Sequence, residues 1–318
     1  MPPETIACLT SDRYFVPLPA GHVFPMEKFP QSAAALLADG TVRRDRLIDP
    51  GLIDDDDLLR VHTPAYVESI CSGNFYGITA KKLGLPPSNE LSVRSHCAVA
   101  GTLATARTAM AEGIACNLAG GTHHAFADSG QGFCVFNDVA VAIRALQRDE
   151  PLLHSFVLDL DAHQGNGTNA IFAGDPYTFT YSVHVGRNYP SIKVPGSMDV
   201  PLERWASADQ YFEALERTMP AAIEAFEPDV VFYIAGVDPH EKDRFGQMKL
   251  TTADLRRRDE RAIGLCRDWG IPVVVLYGGG YHPEPGMTGK LHAQTVRVAA
   301  ERWKAERGVG YQPAIERA

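Results

Sequence analysis

The stretch SFVLDLDAHQGNG, from Ser155 to Gly167, joins a short apolar strand to a polar loop that is rich in glycine. Phe156 to Leu160 is the predicted strand. The chain repeats this pattern twice, with predicted strands near Val230 to Ala235 and near Val273 to Tyr277, each followed by polar or glycine residues. Strands that are apolar on both faces are typical of a parallel sheet covered by helices.

Helical patterns separate these strands. SADQYFEALERTMPAAIEAF has a predicted cap at Ser207, and TTADLRRRDERAIGLCRDWG has a predicted cap at Thr252 and a stop at Gly270. Upstream, CAVAGTLATARTAMAEG and FNDVAVAIRALQRD also predict helices. The alternation predicts an α/β fold with a central, mostly parallel sheet flanked by helices. Ligands of such sheets bind beyond the carboxyl ends of the strands.

The composition excludes several classes of protein. The chain has 318 residues, of which 45% are hydrophobic and 22% are charged, as in an ordinary globular enzyme. Its net charge of -9 and lack of a Lys/Arg-rich run argue against direct binding of nucleic acid. No apolar run is long enough to span a membrane, and the N-terminus lacks the pattern of a secretory signal. Six scattered cysteines indicate reduced thiols, so we expect a cytoplasmic protein.

Three polar residues that follow the predicted strands form a candidate metal site. Asp161 and His163 flank Ala162 just past the first strand, so both side chains can point the same way. Asp238 follows the second strand and is the best third ligand. Two carboxylates and an imidazole suit Zn²⁺, and they would also accept Fe²⁺ or Co²⁺. Three protein ligands leave one coordination position open for water or substrate, as in a catalytic zinc site.

Two adjacent histidines, His123 and His124, lie in the glycine-flanked loop GGTHHAFADSG. Taken alone, such a pair is more often one packed and one solvated side chain. In an irregular, glycine-rich loop both can turn toward one point, which suits proton transfer or metal binding. Tyr281, in YGGGYH, adds a further polar group beyond the third strand.

Together these segments resemble the zinc-dependent histone deacetylase superfamily. The resemblance rests on GGTHHAFADSGQGFCVFND, DLDAHQGNG, AGVDPHEKDRFGQMKLT and GGGYH, in matching order and spacing, and includes the early VHTPAYVESI. The HQGNG variant is more similar to the class IV branch and its bacterial relatives than to class I. The resemblance covers nearly the whole chain and implies one catalytic α/β domain over residues 1–318.

The resemblance implies roles for individual residues. It assigns the metal to Asp161, His163 and Asp238. It assigns catalysis to His123, His124, Tyr281, Asp159 and Asn166. Asp159 would orient His123, whereas Asn166 stands where class I members have an aspartate beside the second histidine. Because an amide carries no charge, His124 should be less basic, which makes it the expected neutral base and His123 the expected cation.

The implied reaction is hydrolysis of an amide. A divalent metal activates water and polarises the carbonyl, His124 takes the water's proton, and the histidine pair returns a proton to the leaving amine. Tyr281 would stabilise the oxyanion, and its glycine-rich loop would let it move. In the family, the carbonyl before this tyrosine, here of Gly280, can receive the leaving ammonium.

The resemblance also implies a substrate tunnel and a structural cation. Gly132 and Phe133 are tunnel candidates, although Phe133 could equally be an ordinary core residue, and Tyr189 is a further candidate for the wall. A structural K⁺ or Na⁺ is expected at Asp159, Asp161, His163, Ser182 and Val183.

Two other protein classes remain as alternatives. An arginase-type ureohydrolase has a binuclear manganese site with DAHxD and DxD pairs, but here Gly165 and Val237 break both motifs. A catalytically silent acyl-lysine or small-ligand binding module would lack a ligand or the tyrosine, and this chain has them all. Cysteine catalysis through Cys134 is a weaker alternative, since the matching family position is usually structural.

The expected substrate is an acylated amine, most simply an N-ε-acyl-lysine in a peptide or protein. A lysine deacetylase, a longer-chain deacylase and an acylpolyamine amidohydrolase share the same core groups, so these three substrates stay open. The sequence does not define the oligomeric state or the native metal.

Overall fold

Eight parallel strands form one sheet at the centre of the protein, for which the computed structural model describes residues 3–73 and 75–308. The strands are β1 (Cys8–Leu9), β2 (Leu47–Ile48), β3 (Ile114–Asn117), β4 (Ser155–Asp159), β5 (Thr178–Val185), β6 (Met198–Leu202), β7 (Val230–Ile234) and β8 (Val273–Leu276). Their order across the sheet is β2-β1-β3-β8-β7-β4-β5-β6, and every pairing is parallel. The predicted α/β fold with a parallel sheet is therefore confirmed.

Helices pack on the sheet and complete the core. They are α1 (Lys28–Ala38), α2 (Asp55–Leu58), α3 (Pro64–Cys71), α4 (Ile78–Leu83), α5 (Asn89–Glu112), α6 (Asp138–Asp149), α7 (Asn166–Ile171), α8 (Ala208–Phe226), α9 (Thr252–Asp268) and α10 (Met287–Gly308). None of the helices in the described ranges has the length and apolar character needed to cross a membrane.

The three predicted strands correspond to β4, β7 and β8, and every residue of these strands is buried. Fully burying an aliphatic or aromatic side chain contributes about 1.5–3 kcal/mol, so this apolar patterning is the main stabilising term in the centre of the sheet. The four predicted helices correspond to α5, α6, α8 and α9.

One predicted helix boundary is wrong. The cap of α9 is Thr251 and not Thr252. Thr251 Oγ1 accepts a hydrogen bond from Asp254 N at 3.2 Å, and Asp254 Oδ2 accepts one from Thr251 N at 2.9 Å. This reciprocal capping box requires an acidic or amide side chain three residues after the cap. Asp254 therefore selects the first of the two threonines.

The four central strands of the sheet, β3, β8, β7 and β4, are neighbours in that order. The loops that follow them carry the histidine pair, Tyr281, Asp238, and Asp161 with His163, respectively. Since the strands are parallel, all four loops leave the same edge of the sheet. The fold thus collects the sequence-predicted polar residues at one place.

Candidate metal and catalytic site

Asp161, His163 and Asp238 are buried together at this edge, with one potential ligand atom from each lying within 4.8 Å of the others. His163 Nδ1 lies 3.0 Å from Asp161 Oδ1 and 3.0 Å from Asp238 Oδ2. Two buried carboxylates this close need positive charge beside them. Oxygen and imidazole donors at these distances suit Zn²⁺ or a similar divalent ion, so the residues present fit the metal that the sequence predicts.

Backbone N–H groups hold the second oxygen of each carboxylate. Gly279 N donates to Asp161 Oδ2 at 2.7 Å, and Ala162 N donates to Asp238 Oδ1 at 2.9 Å. These contacts fix both carboxylate planes, which leaves the facing oxygens oriented toward His163. The candidate ligands are therefore preorganised.

His123 and His124 lie beside this cluster with their ring centroids 4.1 Å apart. His123 Nδ1 is 2.6 Å from Asp159 Oδ2, whereas His124 Nδ1 is 2.8 Å from Asn166 Oδ1. Both acceptors are oxygens, so each Nδ1 carries a hydrogen and each Nε2 is available for chemistry. The structure thus places His123 beside Asp159 and His124 beside Asn166, the two contacts that the sequence analysis expects.

The two histidines differ in basicity. Burial opposes the charge of His123, but the negative charges of Asp159 and Asp161 outweigh burial and raise its pKa to about 9. Burial holds the pKa of His124 well below its usual value, and the positive charges of His123 and His163 lower it further. At neutral pH the pair therefore consists of a cation and a neutral base.

Tyr281 is buried among aromatic rings at the same edge. Its ring centroid lies 5.0 Å from that of Phe245, 5.8 Å from Phe133 and 6.3 Å from Phe24. Burial raises the pKa of its hydroxyl well above the usual value, and Asp238 and Asp161 raise it further. The hydroxyl therefore keeps its proton and can act as a hydrogen-bond donor.

Asp243 holds the Tyr281 loop, a role that the sequence analysis did not predict. Its Oδ2 accepts a hydrogen bond from Tyr281 N at 2.6 Å, and its Oδ1 accepts from Phe245 N at 2.8 Å and from Gly246 N at 3.1 Å. The side chain joins the loop after β8 to the loop after β7. No local sequence pattern predicts the contact between Asp243 and Tyr281, because the two residues are 38 positions apart in the chain.

Asp138 was also missed, and it holds the loop of the histidine pair. This fully buried residue begins α6, and its carboxylate accepts hydrogen bonds from Gly121 N at 3.0 Å and Thr122 N at 2.7 Å. These amides immediately precede His123. The available signal was an aspartate at the start of a predicted apolar helix, directly after an Asn.

Two cavities beside the cluster share part of their lining. The inner cavity, of about 40 Å³, is lined in part by Phe24, Phe29, Lys28 and Arg94. The outer one, of about 370 Å³, opens to solvent. The residues that line both are His124, Gly132, Phe133, His163 and Tyr281. The three candidate metal residues line the small cavity, and His163 also lines the wide outer one.

The predicted tunnel residues lie at this junction. Gly132 and Phe133 have φ values of 56° and 67°, and their N–H groups donate to Lys82 O at 3.1 Å and Leu83 O at 2.8 Å in α4. A Cβ at Gly132 would lie 2.7 Å from His124 Cδ2 and 3.0 Å from Tyr189, so only glycine fits there. The ring of Tyr189 stands edge-on to His124 at 4.9 Å.

The other predicted residues have mixed surroundings. Gly280 precedes Tyr281 with φ 155°, and a side chain there would collide with Val237. Ser182 pairs with Asp159 in the β4–β5 register, and its hydroxyl lies 2.9 Å from His184 Nδ1. Val183 is fully buried in β5. The monovalent cation site at these strand ends stays a prediction.

The surroundings of Gly165 and Cys134 weigh against two alternatives. A Cβ at Gly165 would lie 2.5 Å from Asp159 Oδ2, so this position has no room for the second metal-binding aspartate of a ureohydrolase site. Burial raises the pKa of the Cys134 thiol far above its usual value, which opposes formation of a nucleophilic thiolate.

Comparison with known proteins gives the family. A histone deacetylase domain matches residues 22–297. An uncharacterized protein of Picosynechococcus is 40% identical over 268 residues, which cover 84% of this chain and 89% of that protein. Histone deacetylase 2 of Arabidopsis thaliana is 27% identical over 296 residues, 88% of this chain and 76% of the relative.

A solved structure shows the same fold. The crystal structure of an HDAC homolog from Aquifex aeolicus superposes with a TM-score of 0.76 at 22% identity, covering 95% of this chain and 84% of the other. The domain match spans most of the chain and agrees with the resemblance read from the sequence. The chain belongs to the histone deacetylase family of hydrolases.

Proposed function

We propose that this protein is a metal-dependent deacetylase that removes a short acyl group, above all acetyl, from the side chain of an acylated lysine. The observation that carries the proposal is the position of the buried Asp161–His163–Asp238 cluster. It lines a small inner cavity that shares part of its wall with a wide mouth, and it lies beside a neutral and a cationic histidine and a tyrosine hydroxyl.

Asp161, His163 and Asp238 would hold the metal, for which Zn²⁺ is our first choice and Fe²⁺ or Co²⁺ the alternatives. When bound, a divalent ion lowers the pKa of water and polarises a carbonyl group. The protein's part is to supply an acidic and a basic group at fixed positions around the scissile amide.

The histidine pair would move the protons. His124, which is neutral, accepts a proton as water attacks the carbonyl carbon. His123, kept cationic by Asp159 and Asp161, supplies positive charge beside the developing negative charge. As the C–N bond breaks, the pair delivers this proton to the leaving nitrogen, which gives a carboxylic acid and a neutral lysine amine. The acid then passes its own proton to the amine, so the products are a carboxylate and a lysine ammonium.

Tyr281 would donate its hydroxyl hydrogen to the carbonyl oxygen as negative charge develops there, an effect typically worth about 3–4 kcal/mol. Its raised pKa keeps the donor protonated. The backbone carbonyl of Gly280, next to it in the loop, would accept a hydrogen bond from the departing ammonium.

The size and charge of the inner cavity favour a short acyl group. Its volume of about 40 Å³ is enough for a few waters or a methyl group, and too small for a chain of a dozen methylene groups. Lys28 and Arg94 line it and are buried. A long alkyl chain would desolvate these buried charges without replacing their polar contacts. Both the volume and the charge of the inner cavity therefore disfavour a fatty acyl group.

The mouth favours lysine over polyamine. Lys81, Lys82 and Arg244 are among the residues that line the outer cavity. A polyamine chain would bring further positive charges against these three cations. The aliphatic chain of a single acyl-lysine would instead pass between Phe133 and Tyr189 without a charge in the tunnel.

The test is a panel of acyl-lysine peptides from acetyl to myristoyl, together with acetylated polyamines, incubated with the zinc-loaded protein and with a zinc-loaded His124→Ala variant. We expect acetyl-lysine to be the best substrate and His124→Ala to lose nearly all turnover.

A triple charge reversal at Lys81, Lys82 and Arg244 should improve kcat/KM for the polyamines, and reversal at the exposed Lys304 is the control.

Preference for a long acyl group would overturn the cavity argument but keep the reaction. Preference for polyamines by the unmodified protein would overturn the lysine assignment. Absence of turnover on every acylated amine, with metal bound, would leave the silent binding module as the better account.

A further inference from the structure

A second cluster of metal-ligating side chains lies on the surface, away from the candidate active site. Asp55, Cys71 and His96 each offer one ligand atom within 4.8 Å of the others. We propose that this cluster is a second metal site, which takes Zn²⁺ or another divalent ion that accepts thiolate, with one coordination position left to solvent.

Two of the three distances between the ligand atoms match the edges of a tetrahedron. Cys71 Sγ lies 3.5 Å from His96 Nε2, and Asp55 Oδ1 lies 3.4 Å from the same nitrogen. With typical bond lengths of about 2.3 Å for sulfur and about 2.0–2.1 Å for nitrogen or oxygen, tetrahedral zinc requires ligand separations of roughly 3.3–3.6 Å. His96 and either of its two partners could therefore bind one ion with little movement, and the third ligand atom lies within 4.8 Å of both.

His96 is already oriented as a ligand. Its Nδ1 is 2.8 Å from Ser92 O, and because a carbonyl oxygen can only accept, Nδ1 carries the hydrogen. The lone pair therefore resides on Nε2, the atom that faces Cys71 and Asp55. The ring also packs edge-on against Phe136 at 5.4 Å. A histidine fixed through its other nitrogen by a backbone carbonyl is the usual arrangement around bound metals.

The cluster is accessible to an ion. Cys71 is exposed, whereas the other five cysteines are buried. The Asp55 side chain is 65% exposed, and that of His96 is 11% exposed. Three protein ligands leave the fourth position to water from the solvent. On binding, the Cys71 thiol would release its proton to the solvent.

The position of the cluster suggests what the metal would stabilise. Asp55 begins α2, Cys71 ends α3, and His96 lies in α5. The chain between Cys71 and His96 contains α4, whose Lys82 and Leu83 carbonyls accept hydrogen bonds from the tunnel residues Gly132 and Phe133. A metal here would therefore link the two ends of the segment that supports one wall of the tunnel.

Cobalt spectroscopy tests the proposal independently of activity. The candidate active site contains only oxygen and nitrogen ligands, so a thiolate-to-cobalt charge-transfer band can arise only from a cysteine site. The full chain, titrated with Co²⁺, should bind two equivalents and develop this band together with the visible bands of tetrahedral cobalt. Cys71→Ser should bind one equivalent and show no such band.

Two further variants separate this site from the active site. Asp238→Asn should impair the first site and keep the charge-transfer band. Asp55→Asn should weaken binding at the second site at least about tenfold, whereas Asp56→Asn, its exposed neighbour on α2, should have no effect. Excess Zn²⁺ beyond one equivalent should raise Tm in the wild type and not in Cys71→Ser.

Binding of a single equivalent by the wild type, with no charge-transfer band, would overturn the proposal. A band that survives Cys71→Ser would overturn it equally, because another cysteine would then be the ligand.

Discussion

The two adjacent histidines have partners of different charge. His123 contacts a carboxylate, Asp159, and His124 contacts the amide oxygen of Asn166. Both partners accept a hydrogen bond from Nδ1, but only the carboxylate stabilises a positive charge on the ring. With both rings buried, His124 is therefore free to take a proton, whereas His123 is already protonated.

Replacing Asn166 with aspartate tests this assignment. In Asn166→Asp, a negative charge beside His124 favours its protonated form and raises its pKa. Less of the neutral base is then present at low pH, so the acidic limb of the kcat/KM profile should move to higher pH. The profile of deacetylation against pH measures the shift. A limb that stays in place, or moves to lower pH, would show that His124 is not the base.

At the scale of elements, the site depends on how firmly each loop is attached to the sheet. The loop after β3 is attached through Asp138 at the start of α6, and the loop after β8 is attached through Asp243. Neither side chain lies among the proposed reacting groups. Each instead satisfies backbone N–H groups that would otherwise be buried without a partner.

Asp138→Asn should impair catalysis because it loosens the loop that positions His123 and His124. The amide has one acceptor oxygen where the carboxylate has two, so at least one N–H of Gly121 or Thr122 loses its partner, at a cost of about 1–3 kcal/mol. We expect a lower Tm and a lower kcat with little change in KM. Kinetics and thermal unfolding of the metal-loaded variant measure these effects. An unchanged kcat alongside a lowered Tm would limit Asp138 to a structural role.

The central elements could be predicted from the sequence, and the peripheral ones could not. β4, β7 and β8 are buried throughout, are apolar at nearly every position and lead into polar or glycine-rich loops, a pattern typical of a parallel sheet. By contrast, β1 and β2 have two residues each, and no residue of β6 is buried. Such short or half-exposed strands carry no clear pattern, because they depend on their neighbours for register.

The same division holds for the site. His123, His124 and the three candidate metal ligands follow central strands, so their convergence could be predicted. Asp243 could not be predicted, since its function is a contact with Tyr281 that arises only in the folded chain. Likewise, the Asp55–Cys71–His96 cluster joins three helices and has no motif spacing in the sequence.

At the scale of the whole molecule, buried histidines couple stability to pH. His62 is 2% exposed, and its Nε2 accepts a hydrogen bond from Asn137 N at 3.0 Å. Burial lowers its pKa to about 4. Between its ordinary value of about 6.5 and this value, the unfolded chain binds a proton that the folded protein does not, so stability is lost as the pH falls.

The size of this effect can be measured with His62→Gln. Between pH 7 and pH 5 the protonation of His62 in the unfolded chain should cost about 2 kcal/mol of the free energy of unfolding. The variant is less stable overall, but its stability should fall by about that much less over the same interval. Urea unfolding of both proteins at the two pH values gives the difference. Equal losses in the two proteins would exclude His62 as a contributor.

Four loops at one edge of the sheet bring together the candidate metal ligands, the histidine pair and the Tyr281 hydroxyl, to which we assign the reaction. The most direct test is the release of acetate from an acetyl-lysine peptide by the metal-loaded wild type and by metal-loaded Tyr281→Phe. The variant keeps the ring contacts and lacks only the hydroxyl. We predict equal metal content, a similar Tm and a kcat lower by about 10²–10³-fold in the variant. Equal acetate release by both proteins, or none by the wild type, would contradict the account.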